Sequence, residues 1–409
     1  MMLPLLAGII LGQAAPATKP VNVVPFKRGE NSMIIDATVN GVKGSFMFDT
    51  GFAGAFVMGD QYNIGPATGT ITLRDFVGEL QAKTVKMRSL EIGGMKIKCD
   101  DDIVQQPGEN MSESYGVHCD GIMGLSVFKD QIFEINFQKN EIYFYPKTYD
   151  ITKKPTDNKK TFLQKMLPMG NTAIELLVHT KDEQEFILTL DTGNAFYATT
   201  YLETIENAGL WPKEKKPDFM KSSFVASGEV PSFTTRLADL HIFGVPVKES
   251  YWDIIAQPSG SADSQGTVGF GFLSNFNVTI DLGRRRVFME MFKENAQNEA
   301  EAELGLVALY DEELKGVVVY RVMPKSPADK AGIKPLDHIL SLDGVELQKQ
   351  GYREMRRLLE GAPGSKVKVI ASRQGVVKRY EIERDYLINQ MPPRTAGSPG
   401  QASPPSGGR

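Results

Sequence analysis

The chain has 409 residues, 41% of them hydrophobic and 23% charged, with a formal net charge of −4. That length suits two or three domains, and the composition is that of an ordinary folded protein rather than a disordered or fibrous one. The small negative charge, with no basic stripe interleaved with aromatics, excludes nucleic acid as a partner.

The chain opens MMLPLLAGIILGQAAPATKP. The apolar run Leu3–Gly12 is too short to span a bilayer. It suits a signal peptide over residues 1–15, cleaved after Ala14 or Ala15, and hence an exported protein, periplasmic or extracellular. A buried N-terminal strand is the alternative. No later stretch is apolar enough for a membrane helix, so no span is expected in the mature chain.

From residue 22 onward, short runs of Ile, Val, Phe and Thr alternate with Gly, Asn and Asp, which predicts strands and turns. MIIDATVNGVKGSFMF has a hairpin signal at Asn40-Gly41 and leads into Asp49-Thr50-Gly51. ILTL leads into Asp191-Thr192-Gly193, 142 positions later. GELQAKTVKMRSLEIGG from Gly78 matches GEVPSFTTRLADLHIFG from Gly228, 150 positions on, in register through Leu90/Leu240, Ile92/Ile242 and Gly94/Gly244. DGIMGLSVF from Asp120 matches GTVGFGFL from Gly266, so Gly124 and Gly269 correspond, 145 positions apart. The tails FEINFQKNEIYF from Phe133 and VTIDLGRRRVFM from Val278 keep that offset. Constant offsets over ordered elements indicate an internal duplication. They predict one β-lobe over 22–150, a Lys-rich connector, and a second lobe over 160–293. Helical signal is sparse; AGLWPKEK and the stretch after Gly124 are the best candidates.

Cys99 and Cys119 either pair or stay as buried thiols; sequence leaves both open. His118, His179, His241 and His338 stand alone, none at zinc spacing with a Cys or carboxylate, so neither a metal nor a cofactor is expected.

These motifs resemble the bilobed, pepsin-like aspartic proteases over about residues 22–293: two Asp-Thr-Gly words, each with a later apolar-apolar-Gly, and DGIMGL close to that family's own word. The resemblance implies that Asp49 and Asp191, one from each lobe, form a catalytic pair sharing one proton, because like charges in contact cannot both ionise. It implies that Thr50 and Thr192 bond across the interface, that Gly51 and Gly193 let the loops bend, and that strands ending at Gly124 and Gly269 support them. Phe52 and Asn194 depart from the small or hydroxyl residue usual after the motif glycine. Phe52 supplies no hydroxyl to a carboxylate, whereas Asn194 can donate through its amide. The second apolar-apolar-Gly begins with Thr267. Phe76 is the nearest aromatic in the stretch that corresponds to the family's flap.

After Phe292 comes the acidic KENAQNEAEAE, and then SPADKAGIKPLDHILSLDG over Ser326–Gly344, which resembles a PDZ domain of the bacterial protease-associated kind. The resemblance implies a small α+β module over 303–386, with a carboxylate-binding loop at Leu304-Gly305-Leu306 and a helix at Tyr352–Leu359 walling the groove. The module then either captures polypeptide C-termini through strand addition or docks on the lobes. Leu336 stands where the usual glycine precedes the Asp. The tail over 391–409 is Pro, Gly and Ser, and is expected to be disordered.

The expected fold is therefore mainly β: two pseudo-symmetric aspartic-protease β-lobes plus a small α+β PDZ domain. The expected function is an aspartic-type endopeptidase acting on a polypeptide substrate, without metal or other cofactor. The alternative is a catalytically inactive peptide-binding protein or scaffold that keeps the cleft.

Overall fold

The computed structural model describes residues 19–74, 79–106, 112, 115–168, 173–225, 228–259, 265–311, 316–347 and 357–389. The expected signal peptide at 1–15, the flap residue Phe76, the tail 391–409 and most of the helix expected at Tyr352–Leu359 lie outside the described residues.

The chain is mainly β and carries a PDZ domain. Four sheets of six or more strands and short helices account for the architecture. In the first lobe, Ser32–Val39 and Val42–Asp49 form the hairpin signalled by Asn40-Gly41, with Asn40 at φ +51° and Gly41 at φ +87°. Val42–Asp49 then pairs in parallel with Gly121–Gly124. The second lobe repeats the plan: Glu175–His179 pairs with Glu185–Leu190, which runs parallel to Gly266–Val268. In both lobes the strand that delivers the Asp lies beside the strand that ends in the supporting glycine.

A six-stranded sheet joins the lobes, and Ile132–Asn136 pairs antiparallel with Phe276–Asp281 at its centre. Glu134 sits directly opposite Thr279, its own counterpart in the duplication. The pseudo-twofold axis therefore passes through that pair, and the sheet is made by two copies of one strand meeting each other. Around it the buried aromatics stack edge to face, with Phe48 5.2 Å from Phe128 and Phe137 5.5 Å from Phe270, a contact that crosses from lobe to lobe. One continuous apolar core holds residues of both lobes, so the halves are welded along this seam.

The helix expected at AGLWPKEK is not there. The helix is Leu202–Asn207, and it stops where Gly209 takes φ +68°. Trp211 is fully buried and its indole donates to the Lys215 carbonyl at 2.9 Å, so this stretch is a packed turn. The residues after Gly124 form a single 3-10 turn, Leu125–Phe128. The Lys-rich connector ends earlier than its composition suggests, because Thr161–Lys165 is an edge strand of the joining sheet with Phe162 buried. Cys99 and Cys119 are free, buried thiols, the second of the two states left open by the sequence.

The PDZ sheet runs Leu306–Asp311, Gly316–Val322, His338–Leu342, Lys366–Arg373, Val376–Glu383, over a separate core that includes Leu304, Ile333, Ile339 and Val367. Ser326 caps the short helix Pro327–Ala331 and Gly332 ends it at φ +86°. Beyond this sheet, Ile388–Asn389 adds a parallel strand to Gly228–Ile242 of the second lobe. The Asn389 side chain accepts from the Asp218 and Phe219 backbone N–H groups at 2.6 and 3.0 Å and donates back to the Phe219 carbonyl at 2.9 Å. The domain is thus stapled to the second lobe at its exit.

Candidate active site

Asp49 and Asp191 close their strands and meet at the interface of the lobes. The loops that carry them are interlocked by a reciprocal set of bonds. The Thr50 hydroxyl donates to the Leu190 carbonyl at 2.8 Å and accepts from the Thr192 N–H at 3.0 Å. The Thr192 hydroxyl donates to the Phe48 carbonyl at 2.7 Å and accepts from the Thr50 N–H at 3.1 Å. Both threonines are fully buried, so all four bonds form away from water.

The motif glycines act across the interface as well as within their own loops. A Cβ on Gly51 would lie 2.6 Å from the Asp191 carboxyl carbon, and one on Gly193 would lie 2.4 Å from that of Asp49. Each glycine therefore makes room for the other lobe's carboxylate. Beneath them the supports are symmetric. Gly124 N–H donates to the Ala55 carbonyl at 2.8 Å and Leu125 N–H to Phe52 at 2.9 Å. Gly269 N–H donates to Tyr197 at 2.9 Å and Phe270 N–H to Asn194 at 2.7 Å.

Each carboxylate is held by one oxygen. Asp49 Oδ1 accepts from the Gly51 and Phe52 N–H groups at 2.8 and 3.0 Å; Asp191 Oδ1 accepts from Gly193 and Asn194 at 2.8 and 3.1 Å. The remaining oxygens are left for each other. Burial pushes Asp49 well above the ordinary carboxylate range, and the Asp191 charge and their mutual hydrogen bond push it further. Burial raises Asp191 too, although the bond from Asp49, the two backbone N–H groups and the Thr267 hydroxyl pull it back. The two carboxyls therefore share a proton through their facing oxygens.

One sequence expectation is corrected here. The Asn194 amide does not reach the carboxylate. It donates to the Thr199 and Thr267 hydroxyls at 3.0 and 2.6 Å, and Thr267 in turn serves Asp191. Thr267 is therefore no mere departure from an apolar pattern, because its hydroxyl is the donor expected of the neighbouring residue. The Phe52 ring packs against the apolar cluster of Val57, Ala82 and Val104, and only its backbone N–H touches Asp49.

Two further residues near the pair carried no motif. Tyr115 packs on Ile34, Met47 and Cys119, and burial with the nearby thiol and carboxylates lifts its phenol above the ordinary range. Glu175 is 8% exposed and accepts from the Thr189 hydroxyl at 2.8 Å. Aligning the two halves residue by residue is the signal that would have exposed Glu175, because its first-lobe counterpart is apolar.

In the PDZ domain, Leu304 is buried in that domain's core, Gly305 takes φ +76°, and Leu306 begins the edge strand Leu306–Asp311. A Cβ at Gly305 would lie 2.3 Å from Ser326 and 2.8 Å from the Leu387 side chain, so this loop tolerates only glycine. Leu336 takes the left-handed conformation at φ +68°, preserving with a leucine the turn that a glycine usually makes. Among the described residues no group of three or more His, Cys, Asp or Glu is placed to hold a metal ion, and no helix is long and apolar enough to cross a membrane.

Residues 292–383 match the PDZ domain family. Among curated proteins, the carboxy-terminal processing protease CtpA of Bacillus subtilis (strain 168) is 30% identical over 99 residues, 23% of this chain and 21% of that protein. The chain thus spans about a fifth of that relative's length. Among solved structures, the photosystem II D1 C-terminal processing protease is 29% identical over 21% of this chain and 23% of that one, with a TM-score of 0.20. The aspartic proteinase from Irpex lacteus is 12% identical over 66% of this chain and 97% of that one, with a TM-score of 0.41. The C-terminal processing proteases are serine-type peptidases, and that similarity corrects the expectation of an aspartic-type endopeptidase. It supports the PDZ domain of this chain, without the aspartyl qualification.

Proposed function

We propose that this chain takes hold of polypeptides by their C-terminal ends through its PDZ domain and that the cleft over the Asp49–Asp191 pair receives the chain that follows. The observation that carries the second half is the interlocked pair itself. Each carboxyl is fixed through one oxygen and they bond to each other, and burial raises both above the ordinary range. The first half is supported by the PDZ match and by the edge strand at Leu306–Asp311, whose outer side has no neighbour in the sheet order among the described residues. An incoming chain would extend that edge while the loop at Gly305 receives its terminal carboxylate. Export, expected from the apolar segment Leu3–Gly12, belongs to the same proposal.

The test pairs peptides that carry a free C-terminal carboxylate with their amides, on the full chain and on Asp49→Asn and Asp191→Asn. Free carboxylates should bind more tightly than amides to all three proteins, and both variants should change the affinity for either form. Equal affinity for acid and amide would move the PDZ domain to a docking role. Unchanged binding of both peptide forms in Asp49→Asn and Asp191→Asn would remove the pair from the path of the bound chain.

A further inference from the structure

The pseudo-twofold gives every side chain beside Asp49 a counterpart beside Asp191, and one such pair is sharply unequal. In the first lobe Ile34 stands directly opposite Met47, which lies two positions before Asp49 and so on the same face of its strand. Both are buried, and with Tyr115, Val117 and Ile122 they make an apolar wall beside the carboxylate. In the second lobe the register places Glu175 opposite Thr189, again two positions before Asp191. Where the first lobe has isoleucine and methionine, the second has a carboxyl and a hydroxyl bonded to each other at 2.8 Å.

Glu175 is 8% exposed, and among the described residues no lysine, arginine or histidine pairs with it. The charged group that acts on it is Asp191, which is of like sign. Burying a carboxyl without a counter-ion is unfavourable, and one hydrogen bond from Thr189 would be met as well by a glutamine. Burial and the Asp191 charge raise this carboxyl although the Thr189 hydroxyl lowers it, so either a proton or a cation delivered by a ligand would resolve the imbalance.

We propose that Glu175 and Thr189 form a subsite on the Asp191 side of the cleft that receives a cationic side chain, lysine or arginine, of a bound polypeptide. The subsite faces an apolar one built from Ile34, Met47 and Tyr115 on the Asp49 side. The inference rests on the reading of the cleft as the place where a polypeptide meets the pair. It adds a direction to that reading: a basic residue on one side of the pair and an apolar one on the other.

The test uses the full chain and N-acetylated, C-amidated peptides, which lack the free carboxylate that a PDZ groove captures. The peptides are identical except at one position, scanned with lysine, arginine, norleucine and glutamate, and their dissociation constants are measured at neutral pH. At one register lysine and arginine should bind about tenfold more tightly than norleucine. Glu175→Gln should erase that preference while leaving the norleucine peptide's affinity unchanged, and Glu175→Lys should transfer it to glutamate. No lysine preference at any register, with binding intact, overturns the subsite and leaves the cleft reading standing. Equal loss of lysine and norleucine binding in Glu175→Gln overturns it too, because a structural role would give that pattern. Failure of every amidated peptide to bind overturns the cleft reading, and the subsite with it.

Discussion

Replacing Thr50 with valine keeps the shape of the side chain and removes one hydroxyl that makes two buried bonds. Leu190 loses the donor to its carbonyl and Thr192 loses the acceptor of its N–H, and the site is inaccessible to water. A buried backbone group left unsatisfied costs about 1–3 kcal/mol. Two such groups, relieved in part by loop movement, predict a loss of about 2–4 kcal/mol. For lobes of this size that is a fall in Tm of roughly 4–16 °C. The chain's two tryptophans, Trp211 and Trp252, are buried in the second lobe. Intrinsic fluorescence therefore reports that lobe's unfolding, separately from the PDZ domain, which contains none. Thr50→Ser retains the hydroxyl and is the control. A Thr50→Val variant that melts with Thr50→Ser would refute the claim that the hydroxyl bonds lock the loops.

Three further outcomes follow from the geometry. Burial, then the facing charge and hydrogen bond, hold Asp49 above its ordinary range, so the fold favours the protonated pair; that contribution is complete below an unfolded value of about 3.9 and is lost as pH rises through the raised folded one. Asp49→Asn should therefore melt above the wild type at neutral pH, by about 2–4 °C for each kcal/mol relieved, and lose that advantage in acid; a pH-independent difference would count against it. Leu336 is 71% exposed at φ +68°, so Leu336→Gly should stabilise the PDZ domain by about 0.5–1 kcal/mol, the left-handed cost less the added chain entropy, as read by denaturant titration. Burial would raise Asp337, but its hydrogen bonds from Arg373 at 2.5 and 2.7 Å and from the Lys334 N–H hold it below the usual range. Asp337→Asn should cost the PDZ domain about 1–3 kcal/mol at neutral pH, and the wild type should lose the same stability only as pH falls through that lowered value.

The duplication and the delivery of two carboxylates by matched strands were legible from residue types and spacing. So was the PDZ module, down to the loop at Gly305. These are local facts: a hairpin needs Asn40-Gly41 wherever it sits, and a tight loop behind an apolar strand needs its glycine. The activity was not legible in that way. A motif specifies a local shape, and the relatives that match this chain in sequence do so over about a quarter of its length.

What only the tertiary structure decided is which side chains face one another across strands and lobes. Asn194 follows the motif glycine as expected, yet its amide turns to Thr199 and Thr267, because the parallel strand Gly266–Val268 brings a hydroxyl closer to Asp191 than the amide can come. Ile388–Asn389 carries no signal of docking, but its backbone finds an open edge at Thr234 and Thr235 and its asparagine fills the turn at Phe219. Glu175 looks like any polar residue in an alternating strand until the register sets it opposite Thr189 and beside Asp191. Spacing along one strand determines which face a residue takes. What that face meets depends on a register set by distant turns and by the pseudo-twofold axis through Glu134 and Thr279, which no local pattern encodes.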